Sequence, residues 1–245
     1  AALIEKVVGQ VDYHYPYTSQ TFRSLINYCT RHHAWLTFGC DLALGSPTDQ
    51  EATPHEMLFL PDYLREAFAK AEIIDTQGQH RPLVSKTHVI EAAEPDELEK
   101  DLWDLLSPLR LGWLIFAITN VITLLGRFQK RAYKGLDILL FGLAGLAGCV
   151  LFFLAFFSVH PCTWPNYSLL WLHPFHLVGV ILFCINKAQR ATYWYHFINF
   201  AAIMLMLVSW YFLPQHFNTA FIPLILTLWI RSASVVLTGY FRKRE

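Results

Sequence analysis

Acidic side chains are nearly missing from the second half of this chain. Of 19 Asp and Glu residues, 17 lie in residues 1–106, and only Asp137 and Glu245 follow. Basic residues divide differently, 8 before Ser107 and 11 after it. A formal net charge of zero thus averages an acidic front segment and an apolar, basic-flanked one. There is no basic stripe outside short loops, which argues against nucleic acid as a partner. No set of His, Cys and carboxylate residues has the spacing of a metal site, so neither a metal nor another cofactor is expected.

Long apolar runs fill the space that charge leaves empty. Five follow Pro108-Leu109-Arg110, near 111–126, 136–159, 168–186, 194–213 and 219–239. Each is close to the roughly 20 residues a helix needs to cross a bilayer, and the first could begin earlier, near Leu105. Arg127, Lys130, Arg131 and Lys134 follow the first run, Lys187 and Arg190 the third, and Arg242, Lys243 and Arg244 the last. The opposite connections, 160–167 and 214–218, hold no Lys or Arg. The positive-inside rule then puts the basic loops and C-terminus in the cytoplasm and residues 1–106 outside. The fold class expected is a membrane protein, with a small α+β extracytoplasmic segment (1–106) before a bundle of five transmembrane helices (107–245). Ala1-Ala2-Leu3-Ile4-Glu5 reads as the middle of a helix without a cap, and no signal peptide precedes it. An outer domain truncated at its N-terminus is the expectation.

In the outer segment, Phe22, Leu25, Ile26 and Cys29 at helical spacing predict an amphipathic helix within Ser19–His32, with Ser19 as cap. Thr53-Pro54-His55-Glu56 has the pattern of a capping box and opens a helix through Phe68 that Pro61 bends or restarts. Ile73, Ile74 and the run 83–90 flank a polar turn and predict a β-hairpin. Residues 91–104 read as an acidic helical linker into the first span. Such a segment is small for a core of its own.

The stretch His160 to His176, HPCTWPNYSLLWLHPFH, is the most polar and aromatic interruption between the apolar runs. Read as the outward tip of a membrane hairpin, it has Trp164, Tyr167 and Trp171 as interfacial anchors and three prolines that stop helices. His160, Asn166, Trp171, His173 and His176 are the candidates to face lipid headgroups, against the plainer reading of an interfacial loop. Gly142, Gly145 and Gly148 with Ala144 and Ala147 give the second run a face suited to close helix packing. Asn120, Asn199 and Arg231 are the polar groups at membrane depth that a lipid path could use. Arg231 lies about 16 Å up a helix from Arg242, near the midplane. Facing the bundle is the expected placement, with snorkelling as the alternative.

Phe38 to Tyr63, FGCDLALGSPTDQEATPHEMLFLPDY, resembles the distal part of the Lnb N-terminal periplasmic domain. The shared pattern runs through Phe38, Gly39, Asp41, Leu42, Leu44, Gly45, Ser46, Asp49, Thr53, Glu56, Phe59, Pro61 and Tyr63. The remainder, including the tip HPCTWPNYSLLWLHP, is similar to the five-helix membrane domain of that family. The resemblance implies a lipoprotein N-acyltransferase of the bacterial inner membrane. Its donor would be a membrane phospholipid, and its acceptor the amino group of a lipoprotein's N-terminal cysteine. It also implies a Cys thiolate and a His base in the upstream half of the outer domain, whose motifs residues 1–245 do not contain, so this fragment alone is expected to be inactive.

None of the five cysteines carries the nucleophile's context. Cys149 and Cys184 lie in apolar runs, Cys162 lies at the tip, and Cys29 and Cys40 are either a disulfide pair or unpaired. Asp41 and Asp49 are supporting candidates, to orient the histidine or to order the loop through local backbone bonds. His32 and His33 are expected at the surface. Two other classes stay open on residues alone: a membrane-anchored cysteine peptidase or amidase, and a noncatalytic scaffold or lipid-binding protein.

Overall fold

In a computed structural model the chain divides into two units, residues 1–29 with 50–97, and 30–49 with 98–245. The residues described are 2–15, 19–75, 77–90, 106–129 and 131–238. The acidic linker, Lys130 and the basic tail lie outside them.

The first unit holds helix α1 (Ala2–Val8), strand β1 (Gln10–Asp12), helix α2 (Phe22–Thr30), helix α4 (Pro61–Lys70) and strands β2 (Glu72–Ile74) and β3 (His80–Pro82). The strands form an antiparallel sheet of order β1-β2-β3. The hairpin closes earlier than the apolar run 83–90 predicts. The Asp75 carboxylate accepts from the Gln77 and Gln79 amides, and Gly78 takes φ +77°, so local turn chemistry pairs Ile74 with His80. Helix α2 begins later than expected, because Thr21 forms an extended bridge with Glu51. Thr21, not Ser19, then caps the helix by accepting from the Ser24 amide, while Ser19 donates to Glu51. Leu25, Ala52, Met57 and Leu60 form the buried core, and Cys29 is exposed. The Thr53 capping box forms as its spacing predicts. Glu56 accepts from the Thr53 amide and hydroxyl at 2.9 and 2.7 Å, and the Glu56 amide donates to Thr53 Oγ1. The turn it opens is a short 3-10 helix, Glu56–Phe59, and Pro61 restarts the chain as the first residue of α4.

The second unit holds α3 (Ala34–Ala43), a 3-10 turn Ser46–Asp49, α5 (Pro108–Phe128), α6 (Lys134–Phe157), α7 (Phe175–Cys184), α8 (Gln189–Val208) and α9 (Phe221–Thr238). Helix α6 packs on α7, and α9 packs on both α5 and α8. The glycine face of α6 makes the first contact possible. A Cβ at Gly145 would lie 2.8 Å from the Leu177 side chain, and one at Gly148 would lie 2.5 Å from the His173 carbonyl carbon.

Among the described residues, four stretches are long and apolar enough to cross a membrane: Pro108–Phe128, Lys134–Phe157, Pro161–Cys184 and Asn186–Val208. A fifth span of full length is not among them. Phe221–Leu237 is apolar but shorter, and residues 239–245 lie outside the description. Within the third stretch only α7 is regular α-helix, 10 residues or about 15 Å. The expected helix 168–186 is interrupted because Pro174 ends one backbone ladder, and Asn166 caps a separate 3-10 turn, Tyr167–Leu170.

Polarity in this unit is turned outward-in. Leu143 and Phe153 on α6 are each 60% exposed, while Asp137 is fully buried, as suits a bundle whose solvent is hydrocarbon.

Candidate functional site

The tip is built from three prolines and the polar side chains that satisfy the backbone they interrupt. His160 begins a 3-10 turn, Pro161–Thr163, and its Nδ1 accepts from the Cys162 amide. Asn166 Oδ1 accepts from the Ser168 amide, and the Trp164–Pro165 peptide is cis. Because these bonds are local, short prolyl segments hold a defined shape without a helix ladder.

Residues 41–46 are fastened to this tip. The Gly45 amide donates to the Cys162 carbonyl at 2.8 Å, and the Ser46 amide donates to the Pro165 carbonyl at 2.9 Å. Asn166 Nδ2 donates to the Leu42 and Ala43 carbonyls. Gln215 joins both sides: its Oε1 accepts from the Tyr167 amide, and its Nε2 reaches the Leu44 carbonyl at 3.4 Å and Asn166 Oδ1 at 3.3 Å. Asn218 donates to the Asp41 carboxylate at 2.8 Å, and its own Oδ1 accepts from the Ala220 amide ahead of α9. A Cβ at Gly45 would run into the Pro165 carbonyl oxygen, so this contact admits only glycine. Phe38 completes the seat edge-on against Phe221.

Beside the tip lies a cavity of about 800 Å³. Cys149, Phe152 and Phe156 line it from one face of α6, Trp164 to Tyr167 with Leu169 and Leu170 from the tip, and Ala202 from α8. His173 also lines it, stacked on His176 with ring centroids 4.0 Å apart. His176 is locked by Tyr195 Oη at 2.7 Å and the Trp171 carbonyl at 2.9 Å. His173 Nδ1 is buried without a hydrogen-bond partner.

The five candidates for headgroup contact separate on this geometry. Asn166, Trp171 and His176 are interior, contrary to expectation, because Asn166 bonds the Leu42 and Ala43 carbonyls, Trp171 packs on Phe221, and His176 bonds Tyr195 and the Trp171 carbonyl. His160 is exposed, and His173 borders the cavity. Asp41 is buried and accepts from Asn218, which ties α3 to the connection ahead of α9. Asp49 closes the 3-10 turn Ser46–Asp49. The five cysteines are free thiols. Burial and the neighbouring Asp41 carboxylate push the Cys40 thiol up, the wrong direction for a nucleophile. Among the described residues no three His, Cys, Asp or Glu side chains converge as a metal site.

The three intramembrane polar candidates all bond within the protein. Asn120 donates to the Phe116 carbonyl of its own helix, and Asn199 donates to Ser232 within the bundle. Arg231 does face the interior, as its cost in hydrocarbon predicts. Its Nε and Nη2 donate to the two oxygens of Asp137 at 2.7 and 2.9 Å, and its Nη1 donates to Thr123. The depth differs from the midplane reading. Asp137 lies in the first turn of α6, about 5 Å from its start, so the pair sits near the end flanked by the basic loop. Sequence reasoning missed Asp137 as the partner, and also Gln215 and Asn218. One available signal was that Asp137 is the lone acid within the apolar half before Glu245.

Comparison with curated proteins and with solved structures finds no match. A family model, the Lnb transmembrane domain, matches residues 99–243. That match covers the whole helical hairpin, tip and α9, more than half of the chain, and on it this membrane protein belongs to the Lnb family.

Proposed function

We propose that the protein is the membrane-embedded part of an envelope lipoprotein N-acyltransferase of the bacterial inner membrane, with five spans, an extracytoplasmic segment before residue 107 and a cytoplasmic C-terminus. A thiolate attacks the ester carbonyl of a phospholipid, the ester C–O bond breaks, and the lysophospholipid oxygen takes a proton from the histidine. The amino group of the lipoprotein's cysteine then attacks the thioester, and the thiolate leaves as the amine's proton passes to the histidine. The family resemblance implies a Cys thiolate and a His base in the upstream half of the outer domain.

The observation that supports this reading is the fastening of residues 41–46 to the tip. Water-soluble chemistry can act on a lipid ester only at the interface. A segment of the outer-domain pattern bonded to the end of a membrane hairpin supports chemistry held at that level, where positioning of the donor would speed transfer. Mass spectrometry of lipoprotein N-termini from cells with and without the gene tests it. N-acylation should disappear with the gene and return with the complete protein. Unchanged N-acylation would refute the reading and favour the amidase or scaffold classes.

A further inference from the structure

We infer that the cavity beside the tip seats one acyl chain of a membrane phospholipid. The inference deepens the acyltransferase reading by naming where the donor waits, but lipid binding can be read independently of transfer.

The volume, about 800 Å³, falls within the ~300–1,000 Å³ of small-molecule sites, and its walls are largely aromatic and aliphatic. Its occupant follows from its position. Cys149, Phe152 and Phe156 recur at helical spacing on α6. The same helix exposes Val150, Phe153 and Phe157 to the surroundings, so the cavity continues the surface that meets hydrocarbon. Cys149 lies about 12 Å along α6 from Phe157. The cavity thus runs from the tip into the depth of the acyl chains, and water is a poor tenant for walls of this kind. At the tip end Trp164 packs on Phe156, with ring centroids 4.6 Å apart, and His173, whose Nδ1 is buried without a partner, stands at the deep end opposite Gly148. The glycerol ester would lie at the Trp164 end, with the chain running past Phe156 and Phe152 toward Cys149.

The test uses the 245-residue chain in phosphatidylethanolamine and phosphatidylglycerol vesicles containing a phospholipid with a photoactivatable acyl chain. Adducts are mapped by mass spectrometry. They should concentrate on the peptides carrying Cys149 to Phe156 and Tyr167 to His173, above the exposed apolar face around Leu139 and Leu143. Ala202→Trp fills the cavity from an exposed position on α8, so it need not disturb the core. It should abolish the tip adducts and leave those at Leu139 and Leu143 unchanged. Cys149→Phe, from the opposite wall, should do the same. Adducts spread along all exposed apolar helix faces, or tip adducts that persist in both variants, would overturn the inference. Tip adducts in a protein whose deletion leaves lipoproteins N-acylated would sink the acyltransferase reading alone.

Discussion

Two Arg–Asp pairs in this molecule show how differently its units use charge. Arg65 and Asp62 lie 3.5 Å apart on α4 with side chains 77% and 68% exposed. Arg231 and Asp137 meet through two short bonds with almost no exposure. The first pair is bathed in water and contributes little, ~0–1 kcal/mol. In the second, each partner is the answer to the other's desolvation, and Thr123 takes a further guanidinium N–H. The lesson extends to whole units. The first buries Leu25 and Met57, whereas the second buries Asp137 and His176 and displays Leu143 and Phe153. A residue type has no fixed place until its solvent is known.

The strongest way to sharpen this contrast is to remove one partner at a time. Arg231→Leu and Asp137→Leu should each destabilise the helical unit by ~3–5 kcal/mol, measured by thermal unfolding in detergent, because each strands a buried charge. The double variant should recover much of that loss. Arg65→Leu should fall within ~1 kcal/mol of the parent. A tolerated Arg231→Leu would mean that the guanidinium reaches water.

A second comparison lies within α3 and the turn after it. Gly45→Ala should cost ~1–3 kcal/mol and expose residues 38–49 to proteolysis, since the Pro165 backbone cannot yield. Gly39→Ala, with open space around its Cβ, should be neutral or slightly stabilising. Equal effects would break the assignment of Gly45 as the point of contact.

At the tip, Asn166→Ala should cost ~1–3 kcal/mol through the carbonyls of Leu42 and Ala43 and the Ser168 amide it abandons. His160→Ala loses a surface turn bond and should change stability by less. Thermal unfolding of the two variants side by side decides whether the tip's polar residues face inward or outward.

The smallest effect concerns the Thr53 cap. Hydrogen bonds from the Thr53 side chain and then its amide hold the Glu56 carboxyl below the usual carboxylate value. Its stabilising contribution is therefore full above the unfolded value of about 4.3 and is lost as pH falls through the lower folded value. Protection of the Met57 amide, which donates to the Thr53 carbonyl, from hydrogen exchange should weaken over that acid window. Thr53→Val should flatten the dependence.

Local chemistry was legible in the sequence, and long-range partnership was not. The Thr53 box needs only a spacing of three, and the glycine face of α6 repeats on one helix side, so both could be read. The inward placement of Arg231 followed from cost, but its partner is 94 residues away and leaves no periodic trace. The tip's composition was plain, yet its inward fold was not, because 3-10 turns among prolines have no period from which to read a face. Gln215 and Asn218 sat in a connection that looked like a mere link. The hairpin formed, but its second strand came earlier than the apolar run, where the Asp75 carboxylate and Gly78 close the turn.

The dock on the tip also has a mechanical meaning. Its bonds from Asp41, Leu42, Ala43, Leu44, Gly45 and Ser46 are spread across consecutive residues and run to two separate connections of the bundle. Tension along residues 38–49 would be divided among them in parallel instead of opening them in succession. Asn166 and Gln215, bonded to each other, would transmit part of any pull on one connection to the other. With a glycine hydrogen as the spacer, the joint has almost no slack, so this segment and the hairpin end move as one stiff body.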